Sequence, residues 1–178
     1  MNQLTAYTLR LGDNCLVLSQ RLGEWCGHAP ELEIDLALAN IGLDLLGQAR
    51  NFLSYAAELA GEGDEDTLAF TRDERQFSNL LLVEQPNGNF ADTIARQYFI
   101  DAWHVALFTR LMESRDPQLR RFLPKQLKKR AITCVLVVAG WSDWAMVLTY
   151  QGKRCSRPST SCGVLPPNCS MPTRLILH

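Results

Sequence analysis

Residues 30–60 read PELEIDLALANIGLDLLGQARNFLSYAAELA, with no proline after the first position. Apolar residues recur at Ile34, Leu38, Ile41, Leu45, Ala49, Phe52, Ala56 and Leu59. Steps of three and four trace one face of an α-helix. A second apolar set, Leu36, Leu43, Leu46 and Leu53, falls on other faces. A helix apolar on more than one side must be covered on more than one side. The stretch is therefore expected to be the central helix of an antiparallel bundle, roughly 45 Å long at 1.5 Å per residue.

Its neighbours follow from the same period. Leu4, Thr8, Leu11, Cys15, Leu18, Leu22 and Trp25 form one face of a first helix over residues 4 to about 27. Gly27-His28-Ala29-Pro30 breaks it, and Glu31, Glu33 and Asp35 suit the positive end of the next helix dipole. So short a turn makes the two helices antiparallel neighbours. The second helix stops at Gly61-Glu62-Gly63, and the acidic run Asp64-Glu65-Asp66 follows. Residues 71–85 have room for a short helix that packs Phe77, Leu80 and Leu81 over the bundle, and Pro86-Asn87-Gly88 is a turn. Asn89 caps a third long helix reaching about Ser114, with Ile94, Tyr98, Asp101, Val105, Phe108 and Met112 on its expected inner face. Asp116-Pro117 ends it. The fold class is all-α: a four-helix bundle in which only three long helices and a short one are legible.

Charge divides the chain in two. The formal net charge is −1, but residues 1–118 carry −10 and residues 119–178 carry +9, with Asp143 the single acid of the second part. Five of the eight prolines and four of the six cysteines also lie there. Residues 1–118 are read as a partial helical domain and residues 119–178 as a poorly ordered tail. Residues 132–150 approach the length of a membrane span, but Asp143 inside them is costly. The basic run from Arg120 to Arg130 is a solvated face rather than a nucleic-acid arm on so acidic a protein. Cys134, Cys155, Cys162 and Cys169 lack the paired spacing of a zinc site. The abrupt loss of Glu and gain of Arg, Cys and Pro is what an out-of-frame translation produces. The first 27 residues carry Arg10, Asp13, Arg21 and Glu24 and no apolar core of a signal peptide. Cys15 and Cys26 are too few for a disulfide framework, so a cytoplasmic location is expected.

Helix bundles of this size often hold two irons, bound by a Glu from each of two helices and Glu-x-x-His from two more. Asp44-Leu45-Leu46-Gly47 stands where such a motif belongs, with the acid short and the histidine replaced by glycine. Asn40, Asp44 and Gln48 lie one turn apart and read as a polar stripe bonded to a neighbouring helix. Asp101-Ala102-Trp103-His104 has the right spacing, but alone it fits a core carboxylate paired to an imidazole. Asp13 and Glu24 of the first helix are not firmly on its apolar face. No ligand set is complete, so no metal, cofactor or catalytic residue is assigned. No nucleophile elbow, P-loop or dinucleotide fingerprint is present.

The stretches LTAYTLRLGDNCLVLSQRLGEWCGHAPELEIDLALANIGLDLLGQAR and RDERQFSNLLLVEQPNGNFADTIARQYFIDAWHVALF closely resemble the structural, non-catalytic subunits of multicomponent phenylacetyl-CoA 1,2-epoxidases. The resemblance implies a ferritin-like four-helix core whose metal site has degenerated, with Asp44, Gly47, Asp101 and His104 as remnants. It implies three partners: a catalytic di-iron subunit, a small bridging subunit, and a reductase carrying flavin and an iron–sulfur cluster. The complex epoxidises the aromatic ring with O2 and NADPH in phenylacetate catabolism.

The resemblance stops after Leu119. The family's fourth helix carries Glu-Ala-Arg-Tyr-His, whereas here the chain reads RRFLPKQLKKRAITC, with Pro124 placed to interrupt a helix. Uncovering several Leu-sized side chains costs about 1.5–3 kcal/mol each, against a typical stability of about 5–15 kcal/mol. A truncated, inactive and unstable chain is expected unless the tail supplies a substitute cover. Two rival readings are a stand-alone di-iron protein and a membrane-anchored helical protein.

Overall fold

Each long helix forms where the sequence supplies an apolar face and a cap. In this computed structural model, residues 2–61 and 63–155 are described, with side chains to residue 137. The helices are α1 (Gln3–Gly23), α2 (Leu32–Ala60), α3 (Glu65–Phe70), α4 (Leu81–Glu84), α5 (Phe90–Leu111) and α6 (Pro117–Cys155), with a 3-10 turn at Glu74–Gln76. All regular structure among the described residues is helical. The chain divides into two units, Met1–Trp141 and Ser142–His178; in the second, residues 142–155 are helical.

The face read for α1 is the buried one: Thr8, Leu11, Cys15, Leu18 and Leu22 are in the core, flanked by Leu4 and Trp25. The helix stops at Gly23, earlier than expected. The backbone then makes successive tight turns, Trp25 N–H to Leu22 O and Cys26 N–H to Gly23 O, and Gly27 takes a φ of 78°. That left-handed conformation suits glycine. Asp35 ties the turn to α2 by accepting from the Gly27 N–H at 2.7 Å.

In α2 the expected face again turns inward, with Leu38, Leu45, Ala49, Phe52 and Ala56 buried. The second apolar set behaves otherwise. Leu53 is buried, but Leu36, Leu43 and Leu46 are 58%, 65% and 46% exposed. α2 is thus covered on one broad side, not all round. α5 corrects its predicted face as well. Thr93, Gln97, Ile100, Asp101, His104 and Phe108 are buried, whereas Tyr98 lies at the surface. The helix is rotated so that its polar side chains, rather than Tyr98 and Val105, meet the centre. α5 does begin where read: the Asn89 and Asp92 side chains form a reciprocal capping box.

The topology is that of a ferritin-like bundle, two helical hairpins joined by one long crossover. α1 and α2 are antiparallel. α5 runs parallel to α2, as shown by the Trp25–Thr93 hydrogen bond at one end and the Phe52–Phe108 ring contact, 6.0 Å between centroids, towards the other. Residues 61–89 connect them along α1, not as the single short helix expected over 71–85 but as α3, the 3-10 turn and α4. The crossover starts against α2, where Glu65 pairs with Arg50 at 2.9 Å, and is pinned to α1 from Arg72 onward. Arg72 and the Ser78 N–H reach Asp13, the Leu80 N–H reaches Asn14 at 2.7 Å, and Asn87 donates to Arg21 O at 2.8 Å. Phe77 and Leu80 pack on the core, while Leu81 is exposed.

The fourth long helix, expected to be missing, is present. Asp116-Pro117, read as the end of a helix, is the start of one. The Asp116 Oδ1 accepts from the Gln118 and Leu119 N–H groups at 2.9 and 3.0 Å, and Pro117 takes the first helical position, where its lost donor is harmless. Burial works against the Asp116 carboxylate, but the Tyr55 hydroxyl and those N–H groups hold it below its usual pKa. From there Leu119, Leu123, Gln126, Arg130, Thr133 and Val137 turn inward. Steps of four and three put them on one face. Phe122 closes on Phe52, 5.2 Å between ring centroids. α6 therefore adds Leu119, Phe122 and Leu123 to the core of the other helices, and the division drawn at residue 118 falls inside its first turn. Residues 156–178 of the expected tail lie outside the described residues. Among the described residues, no helix is long and apolar enough to cross a membrane.

Pro124 sits inside α6 but on its exposed side, where the carbonyl left without a donor can turn to water. Interior proline costs a helix about 3 kcal/mol relative to alanine. Pro124→Ala is expected to raise stability by up to about 3 kcal/mol, seen as a higher urea midpoint with an unchanged slope.

Candidate functional site

Four helices deliver polar side chains to the bundle centre. α5 contributes Gln97, Asp101 and His104 at helical spacing, all fully buried. α6 brings Gln126 and Arg130 one turn apart, and the Arg130 side chain has no exposed surface. α2 brings Gln48, and α1 brings Cys15. Arg130 Nη1 donates to Asp101 Oδ1 at 3.0 Å, and Gln97 Nε2 donates to Asp101 Oδ2 at 2.9 Å. The Cys15 thiol donates to Gln48 Oε1 at 3.6 Å. His104 stacks on Phe108, 4.9 Å between ring centroids, and also contacts Trp103.

Electrostatics follow from burial. Desolvation pushes the Asp101 carboxyl above its usual range, with Arg130 and Gln97 pulling the other way. Burial, reinforced by the adjacent Arg130 charge, drives the His104 pKa down to about 3. Burial lifts the Cys15 thiol to about 12, so the sulfur is not a nucleophile at neutral pH. The centre therefore holds one ion pair, a neutral imidazole and a protonated thiol.

His104 has a definite consequence for stability. Its folded pKa lies below the unfolded value of about 6.5, so the unfolded chain binds the extra proton. The stability is fully present above pH 6.5 and is lost as pH falls towards 3. The expected slope is about 1.4 kcal/mol per pH unit. Asp101, with its pKa raised, works in the opposite sense near the acid end of that window. Urea titrations at pH 7 and pH 5 should show a loss of about 2 kcal/mol, and His104→Phe should flatten the profile.

The four residues singled out from sequence do not converge. Asp101 and His104 are in the centre. Asp44 is on the outer side of α2, where Lys129 pairs with it, and Gly47 is exposed. The polar stripe on α2 is bonded to two different neighbours, Asp44 to α6 and Gln48 to α1, while Asn40 is at the surface. Asp13, which periodicity does not place firmly on α1, is fully buried beneath Arg72. Arg130 is inconspicuous in the sequence because it sits in a basic run. Its one signal is the spacing that aligns it with Leu119 and Leu123. The donors do not fit a di-iron centre. One carboxylate is already engaged by a guanidinium, and a second cation beside Arg130 would be repelled.

Fold and centre together define a class: a ferritin-like bundle whose middle is closed by an ion pair. The sequence profile of the family described as phenylacetic acid catabolic protein matches residues 1–131, and the chain belongs to that family. It is 94% identical over 129 residues to one of the subunits of 1,2-phenylacetyl-CoA epoxidase from Escherichia coli (strain K12). That match covers 72% of this chain and 52% of the relative, so the chain spans about half the relative's length. The family match continues twelve residues beyond Leu119, to residue 131, and takes in Arg130.

Proposed function

We propose that this chain is a non-catalytic, structural subunit of a multicomponent oxygenase that epoxidises the ring of phenylacetyl-CoA in aerobic phenylacetate degradation. The observation that carries the reading is the fully buried Arg130–Asp101 pair. It leaves the centre of the bundle to a protein cation, so the redox chemistry belongs to another subunit. The partner is a catalytic di-iron subunit. A small bridging subunit and a flavin and iron–sulfur reductase complete the assembly, which uses O2 and NADPH. This chain binds none of those cofactors and neither nucleic acid nor membrane, and its place is the cytoplasm. On this reading the out-of-frame segment is drawn from the codon after Leu119, and the family match, which runs on to residue 131, overlaps its first part. Sequencing the gene across that codon decides the point.

Co-expression with the catalytic subunit tests the functional proposal. The expected result is a stoichiometric complex whose iron stays with the partner when the two are separated. Stoichiometric iron on this chain alone, or no complex from soluble chain, would overturn it.

A further inference from the structure

The centre of the bundle has more polar atoms than its hydrogen bonds use. Arg130 spends Nη1 on Asp101, while its Nε and Nη2 are buried and make no hydrogen bond among the described residues. The same holds for both ring nitrogens of His104, Nε2 of Gln48, Oε1 of Gln97 and Oε1 of Gln126. These residues form one group rather than scattered exceptions. Gln97 and Arg130 share Asp101, His104 follows Asp101 by three residues, and Gln126 precedes Arg130 by one turn. Gln48 joins through Cys15, which feels the charges of both Arg130 and Asp101.

Buried polar atoms left unpaired cost about 1–3 kcal/mol each, and native interiors almost always pair them. The group cannot pair with itself by amide flips alone, because each flip of Gln97 or Gln48 gives up a bond already made. We infer that the centre of the bundle is a built hydration site, holding internal waters among Arg130, His104, Gln48, Gln97 and Gln126. Its chemistry selects a neutral ligand. Arg130 and Asp101 cancel, so neither an anion nor a cation is called for. The unpaired set mixes donors (the guanidinium and the Gln48 amide) with acceptors (the Gln97 and Gln126 oxygens). His104 supplies one donor and one acceptor. Water satisfies such a set because it donates and accepts at once. Seven atoms, at about three hydrogen bonds per buried water, make room for about two waters. The wet centre is a property of this chain's own residues and does not depend on its partners.

Two measurements on the intact chain test this. Oxygen-17 relaxation dispersion of water detects molecules held inside a protein for longer than nanoseconds. The expected result is a contribution of about two waters that disappears in the double variant Asp101→Leu with Arg130→Met, which removes the ion pair together. Unchanged dispersion in that variant would overturn the inference. A high-resolution crystal structure of the wild-type chain decides independently, whether or not the variant folds. Ordered water within hydrogen-bond distance of Arg130 Nη2 and a His104 nitrogen supports the site. A dry centre, with those atoms paired to other side chains, overturns it.

Discussion

Replacing Asp101 with leucine is expected to destabilise the chain by about 3–5 kcal/mol, the cost of leaving one partner of a buried ion pair uncompensated. Arg130 has no exposed surface, so its guanidinium cannot escape to solvent by a change of rotamer. Gln97 loses its acceptor in the same step. Urea denaturation of the single variants and of the double variant with Arg130→Met gives the coupling. The double variant should recover most of the loss, because a well-packed apolar pair often replaces a buried ion pair at little net cost. If Asp101→Leu alone is within about 0.5 kcal/mol of wild type, the pair does not hold the centre together.

Asp13→Ala should have an effect of similar size, about 3–5 kcal/mol, through a different part of the molecule. The Asp13 carboxylate is fully buried and accepts from both terminal nitrogens of Arg72 and from the Ser78 N–H at 3.0 Å. Arg72 in turn lies over the Phe77 ring, 4.3 Å from its centroid. Removing the carboxylate frees two segments of the crossover at once. Amide exchange should therefore accelerate first in residues 64–80, before the core of α1 and α2. Asp13→Asn should recover only part of the loss, since an amide offers one acceptor where three donors converge. Uniform acceleration across all four long helices would instead mean that the crossover has no separate stability.

Much of the fold is legible from periodicity, and the misses share a cause. The inner faces of α1 and α2 follow from residues that are all apolar or small, such as Leu11, Cys15, Leu18 and Leu45, where hydrophobicity and burial coincide. The face of α5 does not, because Thr93, Gln97, Asp101 and His104 are buried while Tyr98 and Phe99 are exposed. The face read from hydrophobicity is offset from the buried one and shares with it Asp101 and Phe108, with Ile94 and Met112 at its edge. α6 is hidden for a related reason. The largest fully buried side chain among its described residues is an arginine, and Pro124 looks like a break until its exposed position is known. In the centre, the Asp101–His104 spacing marks two residues on one buried face, but the carboxylate–imidazole pair expected from it does not form: Asp101 is held by Arg130 and Gln97, and neither His104 nitrogen has a hydrogen-bond partner among the described residues. The ion-pair partner of Asp101, Arg130, is 29 residues away on another helix and has no local signature.

The route of residues 72–87 along α1 bears on the order in which the molecule assembles. α1 with α2, and α5 with α6, are hairpins closed by short turns, and contacts so close in sequence form early. The bonds that hold the crossover join residues far apart, 65 between Asp13 and Ser78 and 66 between Asn14 and Leu80. Those loops close only once α1 presents its finished surface. The strap over α1 is thus the last part to lock and the first to let go, so a protease meeting the native chain should cut there and leave two intact hairpins.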